Sequence, residues 1–446
     1  TPLKLAEALV RAGVKILGTD ARQIQRAEDR EEFNQMLEKL RVPRTTSRTV
    51  RGKEAAIQAA EEIGFPVIVR PSFVLGGRAM VIVHDVDELS QHLDSALDVS
   101  EKHPLLVEEF LDDAIEVDVD IIGDGDKFIV GGIMEHVEEA GVHSGDSACA
   151  LPPFSLSAET QERVAELCRS MARELCIIGL MNVQLAIRGD DIFVLEVNPR
   201  ASRTVPFVSK VIGRPLARIA AQVMVGKTLD ELDLREDPAP QILAVKEVVF
   251  PFDRFEGSDV VLGPEMKSTG EAMAVDTSFP LAFAKAQISV GMHPPTSGTV
   301  FISVRDKDKD RVVALGARFA EMGFSILATR GTAKVLEAAG VPAETIKKVT
   351  EGRPNIVDRI LSGGVNLVFN TTSGVRSLRD SKSLREAALR TQVPYVTTMA
   401  GAQAMTDAIQ AMRTNDFTLP PAMQDLSKPT EPETANIPKE TVQRFL

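Results

Sequence analysis

The sequence predicts a protein of mixed α and β structure, in which an α+β region precedes a parallel α/β domain. Two observations indicate the first region: apolar runs flank a polar turn at 188–191, as in an antiparallel hairpin, and the segment 105–137 is rich in strand patterns. A third observation indicates the second region. From residue 299 to residue 411, short apolar strands alternate with helical patterns, which is typical of a compact parallel sheet.

Length and composition limit the possible functions. A chain of 446 residues suggests about two or three domains. The net charge of −13 argues against nonspecific nucleic-acid binding, and the absence of Trp with a single Tyr argues against aromatic platforms for base stacking. No apolar run approaches the length of a membrane span. The three cysteines, Cys149, Cys168 and Cys176, lack the spacing of a metal site and are typical of a reducing cytoplasm, so we expect a cytoplasmic protein. From the charge and the apolar runs, we expect no nucleic-acid or membrane partner.

The N-terminal region begins on a helix, with Thr1 as its predicted cap, and continues into a predicted strand at 14–17. Because a doubly wound domain does not normally begin on a helix, we expect residues 1–20 to be the remnant of a truncated domain. The next predicted elements are a helix over 20–40, a strand over 46–50, a helix over 53–63 and a strand over 66–70.

The hairpin at 179–200 carries the clearest functional pattern. With the turn centred near residue 190, Gln184 lies opposite Glu196, and opposed side chains share one face of a sheet. Asn198 lies two residues further along, so strand alternation places it on the same face. A carboxylate with two amide oxygens suits Mg²⁺, which prefers oxygen ligands and is often shared with nucleotide phosphates. The alternative is a surface hairpin with ordinary polar residues.

Two arginine-containing segments could bind the anions that accompany such a metal. Arg200 and Arg203 follow the hairpin directly and could hold anionic groups. The strand that ends at Arg70 leads into a loop with Gly76 and Gly77, where backbone N–H groups can approach phosphates closely. The spacing of this loop matches neither a P-loop nor a Rossmann turn, so a plain glycine turn remains the alternative.

The strand-rich segment offers acidic side chains for a nucleotide. Glu109 could bind the amino group of adenine, and Glu116 could bind ribose hydroxyls; a solvated strand face is the alternative. Histidines, acids and serines also cluster at 132–148, but they lack the spacing of zinc ligands, which argues against a zinc site.

The remaining pattern completes the α/β domain. Its strand ends carry hydroxyl and amide residues at 329–332 and 370–374, and ligands of parallel sheets bind at the carboxyl ends of strands. From Pro420 the chain is proline-rich and reads as an extended or disordered tail. The predicted elements are helices over 157–175, 216–225, 308–322, 332–339, 356–361, 381–390 and 401–411, and strands over 241–250, 299–304, 325–329, 367–370 and 395–397.

These motifs resemble those of the carbamoyl phosphate synthetase large-subunit family. The segments 70–80, 132–136, 141–148 and 196–200 are similar to the ATP-grasp signatures of its second synthetase half. The segments 351–354 and 370–374 are similar to its C-terminal methylglyoxal-synthase-like regulatory domain. The resemblance implies a truncated remnant over 1–20, an ATP-grasp carbamate-phosphorylating domain over 21–288, a methylglyoxal-synthase-like allosteric domain over 289–419 and a tail over 420–446.

The resemblance further implies a ligase that phosphorylates carbamate with ATP, and it assigns residues to each part of that reaction. The implied catalytic residues are Arg200, Arg203 and Glu196, of which Arg203, together with Arg200, would hold carbamate. Gln184, Glu196 and Asn198 would hold Mg²⁺ or Mn²⁺, with K⁺ as a further cofactor. The implied ATP-binding residues are Arg30, Arg70, Gly76, Gly77, Glu109, Leu111, Glu116, Gly141, Val142, His143, Ser144, Gln184 and Glu196.

Regulation and partners are implied in the same way. The resemblance implies that a nucleotide monophosphate, and also ornithine, are allosteric ligands. It implies two partners, a glutaminase small subunit and an N-terminal synthetase half. The intact enzyme would be an oligomer of arginine and pyrimidine biosynthesis. The nucleotide-monophosphate residues would be Lys309, Thr329, Thr332, Lys348, Asn370 and Thr372. The ornithine residues would be Glu138, Asp146, Glu247 and Thr397.

Two other classes of protein compete with this interpretation. One is a different ATP-grasp carboxylate ligase, such as a biotin carboxylase-like enzyme, which would share the metal hairpin. The other is a regulatory fragment without activity of its own. A methylglyoxal synthase would need a catalytic histidine, but His293 is the last histidine of the chain, so a binding role for the C-terminal domain is favoured.

Overall fold

The computed structural model describes residues 3–71, 80–99, 104–240, 242–254, 260–372, 374–414 and 417–418. The predicted cap Thr1, the glycines Gly76 and Gly77 and the tail over 420–446 lie outside the described residues. The helices are α1 Leu3–Arg11, α2 Ala21–Glu28, α3 Arg30–Lys39, α4 Lys53–Ile63, α5 Val86–Val99, α6 Ala158–Glu174, α7 Val205–Val211, α8 Leu216–Met224, α9 Phe279–Ser289, α10 Lys309–Glu321, α11 Arg330–Ala338, α12 Ile356–Leu361, α13 Gly374–Asp380, α14 Lys382–Arg390 and α15 Met399–Thr414. The strands are β1 Ser47–Val50, β2 Val67–Pro71, β3 Val81–Val83, β4 Leu105–Glu109, β5 Ile115–Asp124, β6 Phe128–Glu139, β7 Cys149–Leu151, β8 Ile178–Arg188, β9 Asp191–Asn198, β10 Leu243–Val249, β11 Gly270–Asp276, β12 Thr299–Ser303, β13 Ser325–Thr329, β14 Glu344–Ile346, β15 Leu367–Asn370 and β16 Tyr395–Val396.

Two antiparallel sheets make up the first part of the chain, as the fold prediction expects. The smaller sheet has the order β1-β4-β2-β3, and its core packs against α4 and α5 through residues such as Ala56, Val69 and Leu89. The larger sheet has the order β11-β10-β7-β6-β5-β8-β9. All of its neighbouring strands pair antiparallel, and β5 pairs with both β6 and β8.

The two faces of the larger sheet differ in chemistry. Odd-numbered residues of β5 and β8, such as Val119 and Val183, pack with α6 in one apolar core. Ile122 and Leu180 on the opposite face pack with α7 and α8. This second face becomes polar further along the strands, because strand alternation directs the polar side chains of β5 and β8 to the same side.

The last part of the chain forms the predicted parallel sheet, with the order β14-β13-β12-β15-β16. Its apolar residues pack on α10 and α15 on one side and on α12 and α14 on the other. The first of these cores also includes α9 and residues of β7 and β10, so the parallel sheet and the larger antiparallel sheet share buried contacts. The mixed fold class is therefore confirmed, with the parallel sheet last in the chain.

Several local predictions differ from the structure. Residues 14–17 do not form a strand, since Val14 and Leu17 are exposed and pair with no strand among the described residues. The predicted helix over 20–40 is divided at Asp29, whose carboxylate caps α3 by accepting from the N–H groups of Glu31 and Glu32. The sequence pattern did not predict helix α9. Its residues Ala282 to Gln287 are all buried, so the helix has no polar face and its sequence shows no amphipathic period.

Within the described part of the chain, the helices are too short or too polar to cross a lipid bilayer.

Candidate functional site

Polar side chains form two adjacent rows across one face of the larger antiparallel sheet, where Asp118, Asp120 and Asn182 are buried and Glu196 is exposed. Each row takes one residue from β5, one from β8 and one from β9, because these three strands are hydrogen-bonded neighbours in register. The rows are Asp118, Gln184 and Glu196, and next to them Asp120, Asn182 and Asn198.

A β-bulge sets the pairing on which the first row depends. The hairpin turn places Arg188 opposite Asp191, and regular counting from that pair would place Gln184 opposite Leu195. A register shift between Gln184 and Leu185 instead brings Glu196 opposite Gln184. The predicted pairing is therefore present, but the bulge that produces it could not be recognised from the strand pattern.

The predicted metal ligands are linked to each other and to the neighbouring loops. The Asn198 side-chain nitrogen donates to Glu196 Oε1 at 2.6 Å, and Arg200 Nη2 donates to Asn198 Oδ1 at 3.0 Å. Gln184 Nε2 donates to Ser144 Oγ at 2.8 Å, which ties the loop after β6 to the hairpin. The structure thus brings together residues that were predicted separately to bind metal, nucleotide and carbamate.

Arg203 and His143 lie at the rim of the same face. Arg203 is exposed, and its guanidinium contacts the sulfur of Met266. Burial lowers the pKa of His143, and the positive charge of Arg203 lowers it further, against the opposing charges of Asp146 and Glu196. His143 Nδ1 accepts a hydrogen bond from the N–H of Gly145 at 3.0 Å, which is consistent with a neutral ring.

Glu116, Asp118 and Asp120 of β5 are buried, so the alternative of a solvated strand face is wrong for these residues, whereas Glu109 of β4 is half-buried. Burial raises the pKa of Glu116 to about 7, although the positive charge of nearby His136 opposes the rise. His136 Nε2 lies 3.0 Å from Asp118 Oδ2, and its Nδ1 lies 3.8 Å from Glu116 Oε1. Glu116 also accepts the N–H of Gly141, which holds the predicted nucleotide loop against the sheet.

An apolar patch adjoins the polar rows. It is formed by buried residues from the loops after β4 and β6 and from β8 and β9, and it includes Leu111, an expected ATP contact. The buried members of the patch are Leu111, Ala114, Ala140, Ala186 and Phe193.

The two arginines predicted to contact the nucleotide meet on Glu108. Arg30 forms an ion pair with Glu108, and Arg70 Nη2 lies 3.7 Å from the other carboxylate oxygen. Burial lowers the pKa of Arg30, while the charge of Glu108 opposes that change. Glu109 has different partners, since Arg188 Nη2 donates to its Oε1 at 3.3 Å.

The predicted nucleotide-monophosphate residues partly converge in the parallel sheet, on Ser303 at the end of β12. The Ser303 hydroxyl lies 3.1 Å from Thr329 Oγ1, and the Ser303 carbonyl accepts from Asn370 Nδ2 at 3.2 Å. Thr332 Oγ1 accepts from the N–H of Val304 at 3.3 Å.

Three further residues of this set are placed around that centre. Lys309 Nζ lies against Gly331 in the turn between Thr329 and Thr332, and it pairs with Asp306 at 2.5 Å. Thr372 is half-buried beside Asn370, and Lys348 begins the short helical turn 349–351.

The residues implied for ornithine are brought together only in part. Glu138 is half-buried and lies near the buried Glu247; desolvation raises the pKa of both, and the charge of Glu138 raises that of Glu247 further. The carboxylate of Asp146 instead accepts the backbone N–H groups of Lys267 and Ser268 at 2.7 and 2.8 Å. Thr397 is half-buried after β16.

Sequence reasoning missed several polar residues of the two sites. Asp118 and Asp120 share the alternation that singled out Glu116, and that pattern was the signal that could have identified them. Asn182 precedes Gln184 by the same two-residue step. Glu108 and Ser303 carried no comparable signal, because their partners lie on other strands.

Comparison with known proteins adds independent findings. Residues 29–232 match the family model for the carbamoyl-phosphate synthase L chain ATP-binding domain, and residues 311–397 match the MGS-like domain. The chain is 54% identical over 410 residues to the carbamoyl phosphate synthase large chain of Pseudomonas putida, which covers 92% of this chain but only 38% of that protein.

Relatives of similar extent are also known. The chain is 50% identical to the large chain, C-terminal section, of Aquifex aeolicus, covering 93% of this chain and 80% of that protein. For the corresponding section of Methanocaldococcus jannaschii, the identity is 48%, over 94% of this chain and 70% of that protein. In structure, the chain is similar to biotin carboxylase from Campylobacter jejuni, with a TM-score of 0.53. The similarity covers 64% of this chain and 71% of that one at 17% sequence identity, so it shows a shared fold.

Proposed function

The chain belongs to the carbamoyl phosphate synthase large-chain family, and we propose that it phosphorylates carbamate with ATP to give carbamoyl phosphate and ADP. Because the chain spans 38% of the Pseudomonas putida large chain, the proposal includes an N-terminal synthetase half and a glutaminase small subunit as partners in an oligomer. We place this enzyme in the cytoplasm and in arginine and pyrimidine biosynthesis.

The observation that carries the proposal is the register of β8 and β9. It sets Gln184 opposite Glu196 and Asn182 opposite Asn198, directly before the arginines of the following loop. Phosphoryl transfer depends on positioning and on neutralising charge, and it needs no nucleophilic side chain from the protein. A row of oxygen donors that leads into two guanidinium groups meets both requirements.

The donor set fits a hard divalent cation. Glu196 contributes a carboxylate, and Gln184 and Asn198 contribute amide oxygens, which are the ligand types that Mg²⁺ prefers. The nitrogen of Gln184 is used by Ser144, so its oxygen is the atom left to face an ion. Mg²⁺ or Mn²⁺ held by these residues would neutralise the phosphate charge of ATP, and K⁺ is included in the proposal as a monovalent cofactor.

The other residues divide the binding of the two substrates. The apolar patch that contains Leu111 would accept the adenine ring, and Glu116 would accept hydrogen bonds from ribose hydroxyls. Arg203, with Arg200, would hold carbamate, since a guanidinium fork matches a planar carboxylate-like anion. These arginines lie beside the metal ligands, so carbamate and the terminal phosphate of ATP would meet at the end of the hairpin.

A regulatory role is proposed for the parallel sheet. Thr329, Thr332 and Asn370 surround Ser303 at the carboxyl ends of three neighbouring strands, with Lys309 against the same turn. Hydroxyls, an amide and a cation at that edge suit the phosphate of a nucleotide monophosphate. Glu138 and Glu247 would bind the cationic end of ornithine.

Formation of ATP from ADP and carbamoyl phosphate tests the proposed reaction, because this reverse half-reaction needs only the chemistry of this chain. We expect the chain to catalyse it with Mg²⁺, and Glu196→Gln to slow it roughly a hundredfold, equivalent to about 3 kcal/mol of transition-state stabilisation. Asp190→Asn is the matched control, since it removes one carboxylate charge from the exposed turn of the same hairpin.

The outcomes separate the candidate functions. Catalysis that Glu196→Gln slows roughly a hundredfold and Asp190→Asn preserves would support the carbamate-phosphorylating step. Unchanged turnover in Glu196→Gln would contradict the metal assignment. A folded chain that forms no ATP would instead favour a regulatory fragment without activity of its own.

A further inference from the structure

Asp120 is a fully buried carboxylate beneath the loop that follows the hairpin. It accepts hydrogen bonds from Asn182 Nδ2 at 3.0 Å, Ser202 Oγ at 2.7 Å and Thr204 Oγ1 at 2.7 Å. All three of these donors are neutral. A buried carboxylate needs such donors, because burying a charge without them is costly.

Two of these donors flank Arg203 in the chain. Ser202 and Thr204 belong to the loop between β9 and α7, and both hydroxyls are anchored to the same carboxylate. Arg203 itself is exposed between them. The residues on each side of Arg203 are therefore tied to the sheet by their side chains, while its guanidinium is exposed and lies against the sulfur of Met266.

The start of α7 shows that this anchoring competes with helix capping. Thr204 is the N-cap residue of α7, but its side chain makes no capping hydrogen bond. Its hydroxyl donates to Asp120 instead. A side-chain cap stabilises a helix by about 0.5–2 kcal/mol, so this helix forgoes a common source of stability at the residue next to Arg203.

We infer that Asp120 is a positioning residue, which holds Ser202 and Thr204 so that the Arg203 guanidinium is oriented to bind the planar anionic substrate. The inference rests on the proposed function, in which Arg203 binds carbamate. A bidentate contact requires a side chain placed within about 0.5 Å, and a loop anchored on both sides of the arginine provides that accuracy.

Asp120→Ala tests the inference in the ADP plus carbamoyl phosphate assay of the full chain. We expect KM for carbamoyl phosphate to rise about tenfold or more and KM for ADP to stay within about twofold, because a displacement near 1 Å can cost up to a hundredfold.

Asp124→Ala is the matched control. Asp124 ends the same strand about 13 Å away and accepts three backbone N–H groups, those of Asp126, Lys127 and Leu229. This variant loses as many hydrogen bonds as Asp120→Ala but has no contact with the arginine loop, so both KM values should stay within about twofold of the wild type.

A double-mutant cycle separates positioning from a general structural role. If Asp120 acts through the guanidinium fork, Asp120→Ala should change KM for carbamoyl phosphate by less than about twofold once Arg203→Lys has removed that fork. If Asp120→Ala does not fold, Thr204→Val removes one anchor with little change in shape, and it should raise the same KM about threefold without changing KM for ADP.

The outcomes distinguish failure of the inference from failure of the proposed function. A folded wild-type chain without the reverse reaction would overturn both. Two results would overturn only the role of Asp120, provided that the wild type is active and sensitive to Glu196→Gln. One is that Asp120→Ala changes the KM values for carbamoyl phosphate and ADP equally. The other is that its effect adds fully to that of Arg203→Lys.

Discussion

Replacement of Arg305 by alanine should destabilise the parallel-sheet region strongly. Arg305 Nε donates to Asp308 Oδ2 at 2.7 Å, and Arg305 Nη2 lies 3.6 Å from Glu139 in the antiparallel sheet. Asp308 is only 1% exposed, and in the described part of the chain its Oδ2 also accepts from the hydroxyl of Thr371 at 2.7 Å. Arg305→Ala would therefore leave a buried carboxylate with one neutral donor.

The size of the effect follows from this burial. Removing one partner of a buried ion pair costs about 3–5 kcal/mol. The Arg305 side chain is 18% exposed, so water can replace part of its contact, and we expect the lower end of that range, about 3 kcal/mol. With an m value of about 2 kcal/mol per molar urea, the unfolding midpoint should fall by about 1.5 M.

A natural optical probe makes this measurement local. Tyr395 is the single tyrosine of a chain without tryptophan, and its hydroxyl donates to Asn370 Oδ1 at 3.1 Å inside the parallel sheet. Its fluorescence during urea unfolding therefore reports on this sheet.

The control for this prediction is Arg311→Ala. Arg311 pairs with Asp113 at 3.5 Å, but both side chains are about half exposed, so its removal should cost no more than about 1 kcal/mol. Equal midpoints for Arg305→Ala and Arg311→Ala would refute the burial argument.

Three further predictions concern the two sites. Arg203→Lys keeps the positive charge but loses the guanidinium fork, so KM for carbamoyl phosphate should rise while ADP affinity, measured by calorimetry, stays unchanged. A parallel loss of ADP affinity would place Arg203 in the nucleotide site. Titration of the full chain with UMP, IMP and AMP should change Tyr395 fluorescence for at least one nucleotide, and Thr332→Ala should abolish that change; no response to any of them would mean that the pocket is misplaced. The pKa of Glu116 is raised to about 7 from an ordinary 4.5, so its contribution to stability is complete below pH 4.5 and is lost as the pH rises through 7. Glu116→Gln should flatten the thermal stability curve between pH 5 and pH 8, and an unchanged slope would show that another group titrates there.

Much of the fold could be predicted because its signals are local. The bounds of α4, α12, β13 and β15 agree with the predicted helices and strands, since each has a clear period and clear end residues. The two elements that were predicted wrongly, the strand at 14–17 and the helix α9, each lacked a feature on which such predictions depend. A strand at 14–17 needs a partner strand to pair with, and α9 has no polar face to show its period.

The candidate site was predictable where one hairpin contains it. Gln184, Glu196 and Asn198 lie within a short stretch of chain, so strand alternation was enough to group them. Which of the predicted nucleotide contacts bind ATP stays a prediction. The pairing of Arg30 and Arg70 with Glu108 could not be foreseen, because β2, β4 and α3 meet only in the folded sheet.

The sequence by itself therefore determined the order of the two regions, the hairpin with its polar face and the family motifs, all of which depend on residues close together in the chain. Only the tertiary structure decided that Asp118 and Asp120 join that face, that a bulge sets Glu196 opposite Gln184, and that Asp120 anchors the loop around Arg203. The physical reason is that these contacts join strands and loops distant in sequence. Their register depends on the packing of the whole sheet and not on the periodicity of any one strand.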